Sequence, residues 1–130
     1  DVREFLPYLY LLDTADVMSG YVATKAASFH RKLQSFVYNW LITLLFLVHC
    51  RDIDCAMKIY KRKVINAISI KSTSCFIDAE MIIKSKQAGF KIAQFPVTHF
   101  RRTEGLASGS KMKVIAATIR EMIQFRFGLL

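Results

Sequence analysis

The sequence predicts an α/β fold on three observations. Segments of helical period alternate along the chain with short segments of strand period. Apolar residues make up 53% of the 130 positions, enough for a sizeable core and too many for wholesale disorder. The length is that of one ordinary domain or of part of a larger one.

Each element has its own warrant. Val2, Phe5, Leu6, Leu9 and Leu12 fall near helical spacing, which predicts an amphipathic helix over residues 2–12. The chain starts at Asp1 rather than Met and without a cap ahead of that helix, so a preceding part of the protein is expected. Asp13 to Asp16 reads as a turn and Val17 to Val22 as a short strand holding Gly20, with a loop over 23–28. A long helix follows from about Phe29 to Leu47. It is polar at His30, Arg31, Lys32 and Gln34 and then almost wholly apolar, so it is expected to be wet at one end and buried at the other. Trp40 to Val48 is interrupted only by Thr43, yet falls short of the roughly 20 apolar residues that a membrane span needs. It therefore reads as a buried helix, with Phe36, Tyr38, Trp40 and Phe46 as core.

After the polar break Arg51-Asp52-Ile53-Asp54, residues 56–60 alternate as a strand. Lys61-Arg62-Lys63 opens a short helix to about Ile68, and Ile77 to Ala88 forms a second, closed by Gly89 at a left-handed C-cap. Phe90 to Phe95 alternates cleanly, and Pro96 marks a strand end or an edge strand. Arg101 to Ser110 is a Gly/Ser loop before a final amphipathic helix over Lys111 to Phe125. Three strands are few for a doubly wound sheet, which again suggests half of a domain.

Lys and Arg number 19 against 10 Asp and Glu, a net charge of +9 that favours anionic partners such as phosphates, nucleic acid or an anionic membrane surface. No acidic residue lies between Val17 and Cys50. Cys50, Cys55 and Cys75 are odd in number and form no C-x-x-C pair, which argues against a disulfide framework or zinc ribbon and suits a reducing compartment. His30, His49 and His99 lack metal-ligand spacing. The first residues are acidic and amphipathic, unlike a secretory signal. Without a helix-turn-helix or RNA-binding signature, and with its basic residues spread among apolar helices, a nucleic-acid binder is a distant third choice.

Three constellations carry chemistry. Arg51-Asp52-Ile53-Asp54-Cys55 places carboxylates at a strand entrance, where they can hold a metal, accept a proton or bond a sugar hydroxyl. The same residues also fit a solvated loop with an Arg–Asp pair. Arg31 and Ser35 share one helical face, with Lys25, His30 and Lys32 close by, an acid-free patch that suits a phosphate and equally fits a solvated helix end. Arg101 to Lys111 runs a Gly/Ser loop into a helix N-terminus, presenting backbone N–H groups to an anion; it is no P-loop, and an ordinary flexible loop fits it as well.

In order, these segments resemble family 2 glycosyltransferases of the GT-A fold, and within them the dolichyl- or polyprenyl-phosphate sugar synthases. The resemblance runs through Ala15 to Tyr21, Phe29 to Leu33 and Tyr38-Asn39-Trp40. Its most specific stretch is Arg51 to Arg62, similar to the family's D-x-x-C-x-F-K pattern. It continues through Asp78-Ala79-Glu80, Ala88 to Val97, and Arg102 with Gly105.

The resemblance implies the C-terminal, acceptor-side portion of a GT-A mixed sheet flanked by helices. The nucleotide-binding half, with the D-x-D that grips a divalent metal (Mg or Mn) and the donor diphosphate, would lie upstream. It further implies transfer of a sugar from a nucleotide-sugar donor to a polyprenyl or dolichyl phosphate, or another cell-envelope glycan acceptor, with inversion. Asp52 matches the active-site aspartate. Arg31, Ser35 and Lys25 would meet the acceptor phosphate, and Arg102, Ser108 and Lys111 the donor diphosphate from their loop. Asp54, Lys58 and Glu80 are second choices. Peripheral membrane association at the cytoplasmic face is expected, and the portion alone is expected to be inactive. Three positions depart from the pattern: Val22 replaces an Arg, Ala27 an Asp, and Gln94 the Glu before Pro96-Val97. These departures keep a catalytically inactive, degenerate fragment open as the alternative.

Overall fold

A computed structural model describes residues 2–23, 29–98 and 112–130. A 3₁₀ helix spans Val2–Asp13, followed by β1 (Val17–Val22), α1 (Phe29–Phe46), β2 (Lys58–Tyr60), α2 (Arg62–Ala67), α3 (Ile77–Gln87), β3 (Ile92–Val97) and α4 (Met112–Arg126). The strands form one mixed sheet in the order β2-β1-β3. β1 pairs antiparallel with β2, Val17 opposite Tyr60, and parallel with β3, Val22 opposite Val97. The molecule is thus mixed α/β, a three-stranded sheet flanked by helices, as the alternation of periods predicts.

Strand alternation sends successive β1 side chains to two separate cores. Val17 joins Ile42, Ile53, Phe76, Ile82 and Met122 beneath α1, α3 and α4. Met18 joins Cys55, Phe95 and Val97 on the opposite face, under Phe5, Tyr8, Leu11 and Leu12 of the leading helix. Full burial of such side chains stabilises by roughly 1.5–3 kcal/mol each.

Four expectations need correction. Residues 2–13 wind as a 3₁₀ helix rather than an α-helix. Pro7 in its middle has no N–H and would clash with the carbonyl four residues back. Phe5, Tyr8 and Leu11, three apart, line one face only at three residues per turn. β2 starts at Lys58 instead of residue 56, and β3 runs over Ile92–Val97 instead of 90–95. Pro96 lies inside β3, which is an edge strand of this sheet, the second of its two readings, and there a missing N–H is tolerated. The apolar helix α1 is only half-buried: Ile42 is sealed in the core, but Trp40 is 55% and Phe36 68% exposed. Those two aromatics are not core, whereas Tyr38 and Phe46 do pack against it.

Three local devices fix the elements that carry the site. Gly89 adopts φ +84 and closes α3, with Gly89 N–H donating to Lys86 C=O and Phe90 N–H to Ser85 C=O, both at 3.0 Å. Asp16 accepts from Lys91 N–H at 3.1 Å and pairs with Lys63 at 2.7 Å, tying the start of β1 to β3 and α2. Glu121 of α4 accepts from the hydroxyls of Ser74 and Thr73 at 2.6 and 2.9 Å, bracing the segment that enters α3.

Candidate functional site

The carboxyl ends of the parallel strands β1 and β3 lie side by side, and ligands in α/β sheets bind outside such ends. The loop 51–55 crosses this edge. Its approach is close because Gly20 carries no side chain: a Cβ there would stand 3.0 Å from Met57 C=O and 3.1 Å from Cys55 Sγ. Gly20 N–H instead donates to Met57 C=O at 2.8 Å.

Asp52 is 6% exposed. Its Oδ2 accepts from Val22 N–H at 3.4 Å, which places the carboxylate at the end of β1. Arg51 N–H donates to Gln94 Oε1 at 2.9 Å, and the Arg51 guanidinium lies 4.7 Å from the centre of the Tyr21 ring, a cation–π contact at the same edge. Ile53, fully buried, donates its N–H to Asn39 Oδ1 of α1 at 3.0 Å. Asp54 is exposed at the turn, so the two aspartates of the loop differ sharply in environment.

Lys58 closes the far side. Its side chain is 5% exposed, and its Nζ donates to Cys55 C=O at 2.6 Å and pairs with Asp78 of α3 at 2.8 Å. A buried ammonium is tolerable only with such partners. Burial pushes the Cys55 thiol above its ordinary range, a direction the nearby Asp52 reinforces. Burial likewise raises the Tyr38 hydroxyl, with Asp54 and Asp78 adding to the effect, and raises that of Tyr60. Both hydroxyls are buried without a hydrogen-bond partner among the described residues.

Glu80 stands apart from this edge and is engaged by its own chain. It is fully buried and accepts from Ser72 N–H at 2.8 Å, Lys71 N–H at 3.1 Å and the Lys84 ammonium at 2.6 Å. Burial alone would raise its pKa, but these donors together outweigh burial and hold it below the ordinary value.

Ser35 is half-buried on α1 and accepts from Asn39 Nδ2 at 3.4 Å, which links it to the loop through one side chain. Arg31 lies one turn earlier in the same helix. Lys25, Arg102, Ser108 and Lys111 lie outside the described residues, as do Ala27 and the Gly/Ser loop. Of the expected set, the structure therefore brings together Asp52, Lys58 and, through Asn39, Ser35.

Two contributors carried no assignable role in the sequence. Asn39 acts 14 positions from its partner and Gln94 43 positions from its own. Only the pairing of β3 beside β1 makes the second contact possible. Gln94 keeps the acceptor oxygen that a Glu would offer. Val22 contributes its backbone N–H, which an Arg there would offer equally, while its side chain packs in the second core.

Among the described residues, no three His, Cys, Asp or Glu side chains gather as a cation site. No helix among them is long and apolar enough to cross a membrane.

No family model matches the chain. The chain is similar to Glycosyltransferase AglD of Haloferax volcanii, 33% identical over 69 residues, which is 52% of this chain and 11% of that protein. The chain thus matches about a ninth of that relative's length.

Proposed function

We propose that this chain is the acceptor-side half of a family 2 glycosyltransferase domain of the GT-A fold. The complete domain transfers a sugar from a nucleotide-sugar donor to a polyprenyl or dolichyl phosphate, or to another cell-envelope acceptor, with inversion. Similarity to the Haloferax glycosyltransferase supports glycosyl transfer as the general chemistry. The observation that carries the reading is the nearly buried Asp52, held by Val22 N–H at the carboxyl end of β1.

In this reading inversion is a single in-line displacement, in which the acceptor oxygen bonds to the anomeric carbon as the nucleotide diphosphate leaves. With a sugar hydroxyl as acceptor, Asp52 takes the proton. With a phosphate monoester, whose second pKa is about 6, the acceptor is already ionised at pH 7 and Asp52 orients the sugar. Arg31, Ser35 and Lys25 are proposed to receive the acceptor phosphate, and Arg102, Ser108 and Lys111 the leaving diphosphate. In this reading the divalent metal is held by the upstream D-x-D, and no step here runs through it.

Peripheral attachment to the cytoplasmic face of a membrane belongs to the same proposal. It is supported by the exposed apolar side chains Phe36, Trp40, Leu44 and Leu47 together with the charge of +9.

The test is sugar transfer by the full-length protein that carries this chain, with radiolabelled nucleotide-sugars and a polyprenyl phosphate. Transfer to lipid by the unmodified protein is expected, with a modest reduction in Asp52→Asn, since this acceptor is already ionised. Absence of transfer by the unmodified protein with every donor class would overturn the proposal in favour of an inactive homologue.

A further inference from the structure

The loop 51–55 is held by other elements far more than by itself. Among the described residues, the backbone bond inside it runs from Cys55 N–H to Asp52 C=O and is long, at 3.3 Å. Three side chains make shorter bonds to its backbone from three directions. Asn39 of α1 accepts from Ile53 N–H at 3.0 Å, Gln94 of β3 accepts from Arg51 N–H at 2.9 Å, and Lys58 of β2 donates to Cys55 C=O at 2.6 Å. They grip the residues directly before and after Asp52 and the end of the loop. A buried N–H such as that of Ile53 needs an acceptor in any loop, but bonds from three separate elements on either side of Asp52 also fix the direction of its carboxylate.

We infer that Asn39, Gln94 and Lys58 are positioning residues that aim Asp52, an inference resting on the reading of Asp52 as the reacting carboxylate. Each acts on backbone, so each fixes the loop's path without touching the carboxylate. Lys58 is itself anchored by Asp78, which ties the aim of Asp52 to α3. Asn39 also donates to Ser35, so the turn of α1 proposed to meet the acceptor phosphate and the loop that carries Asp52 share one side chain. Acceptor engagement on α1 and the placement of Asp52 are thereby mechanically linked.

The experiment reads amide hydrogen exchange and transfer kinetics on the same full-length protein. Val22 N–H, bonded to Asp52 Oδ2, reports the carboxylate's placement directly. In Gln94→Leu and Asn39→Leu, exchange at Val22 is expected to rise about tenfold or more, while Met18 in the same strand changes less than about twofold. Transfer should lose about tenfold or more in kcat with KM within about twofold. Gln94→Glu and Asn39→Asp, which keep the acceptor oxygen, should restore both readouts. Gln94 lies on an edge strand, so its variants remain informative if the Asn39 variants fail to fold. Unchanged Val22 exchange in Gln94→Leu would overturn the inference, as would a rise in KM at constant kcat. If exchange responds as expected while the unmodified protein transfers no sugar, the positioning inference stands and the glycosyltransferase reading alone fails.

Discussion

At the scale of single residues, Asp52 and Glu80 are two buried carboxylates in different settings. Asp52 lies at the carboxyl end of β1 and accepts from Val22 N–H, whereas Glu80 accepts from Ser72, Lys71 and Lys84. Asp52→Asn should lower kcat by about 10²–10⁴ with a sugar-hydroxyl acceptor, the usual contribution of a general base. The loss should be much smaller with a phosphate monoester acceptor. Equal losses with both acceptor classes would rule out proton abstraction as the residue's role. Glu80→Gln should instead lower stability, by about 2–4 kcal/mol at pH 7, because the Lys84 ammonium and the Ser72 and Lys71 amides lose a charged acceptor. The Glu80 carboxyl is held below its ordinary value of 4.5, so its stabilisation is complete above that pH and disappears as pH falls through the lower folded value. Urea midpoints from pH 7 to pH 3 should therefore converge for the two proteins at the acid end. A gap that stays constant across that range would show that the charge on Glu80 is not what stabilises.

At the scale of elements, Gly20 and Gly89 separate crowding from backbone strain. A Cβ on Gly20 meets Met57 C=O and Val97 Cγ1, both at 3.0 Å, so Gly20→Val should cost about 1–3 kcal/mol by overpacking and push the 51–55 loop off β1. Gly89 has φ +84 and nothing within 4 Å of the added atom, so Gly89→Ala should cost only about 1–2 kcal/mol, from backbone conformation. Denaturant midpoints check both, and Val22 amide exchange should respond only to the Gly20 change. The sequence made these elements legible where the signal is local. The alternation of Phe90–Phe95, the glycine after α3 and the period of α4 each need only neighbouring residues. What it hid is non-local. Asn39 and Glu121 look like ordinary helix residues until folding brings Ile53 and Ser74 beside them. The 3₁₀ winding was recoverable, because Phe5, Tyr8 and Leu11 are three apart around Pro7, but Val2, Phe5, Leu6, Leu9 and Leu12 satisfy a looser α-helical pattern. The exposure of Trp40 was not, since an apolar run does not say which of its faces has a partner.

At the scale of the whole molecule, the apolar residues that α1 leaves outside follow a seam. Leu33, Phe36, Trp40 and Leu44 recur every three or four positions and are all exposed, so one long helix presents both a core face and an outer apolar stripe. Ile119 and Ile123 of α4, with Phe127 just after it, form a second exposed set. Such an outer face combined with a net charge of +9 has the two features that stable interfacial binding requires, apolar area and basic charge near anionic headgroups. These 130 residues contain a single Trp, Trp40, 55% exposed on this stripe, so the part of the emission that Trp40→Phe removes reports the event. Vesicles with anionic lipid should shift Trp40 emission to the blue, more weakly as salt rises, since the electrostatic share is screened within about 10 Å at 0.1 M. Leu44→Asp should abolish the shift while leaving the fold intact, because that side chain is already exposed to water. A blue shift that grows with protein concentration in the absence of vesicles would mean that the stripe binds a second copy of the chain. No shift under either condition would leave the lipid acceptor without a surface to arrive from, and would favour a water-soluble glycan in its place.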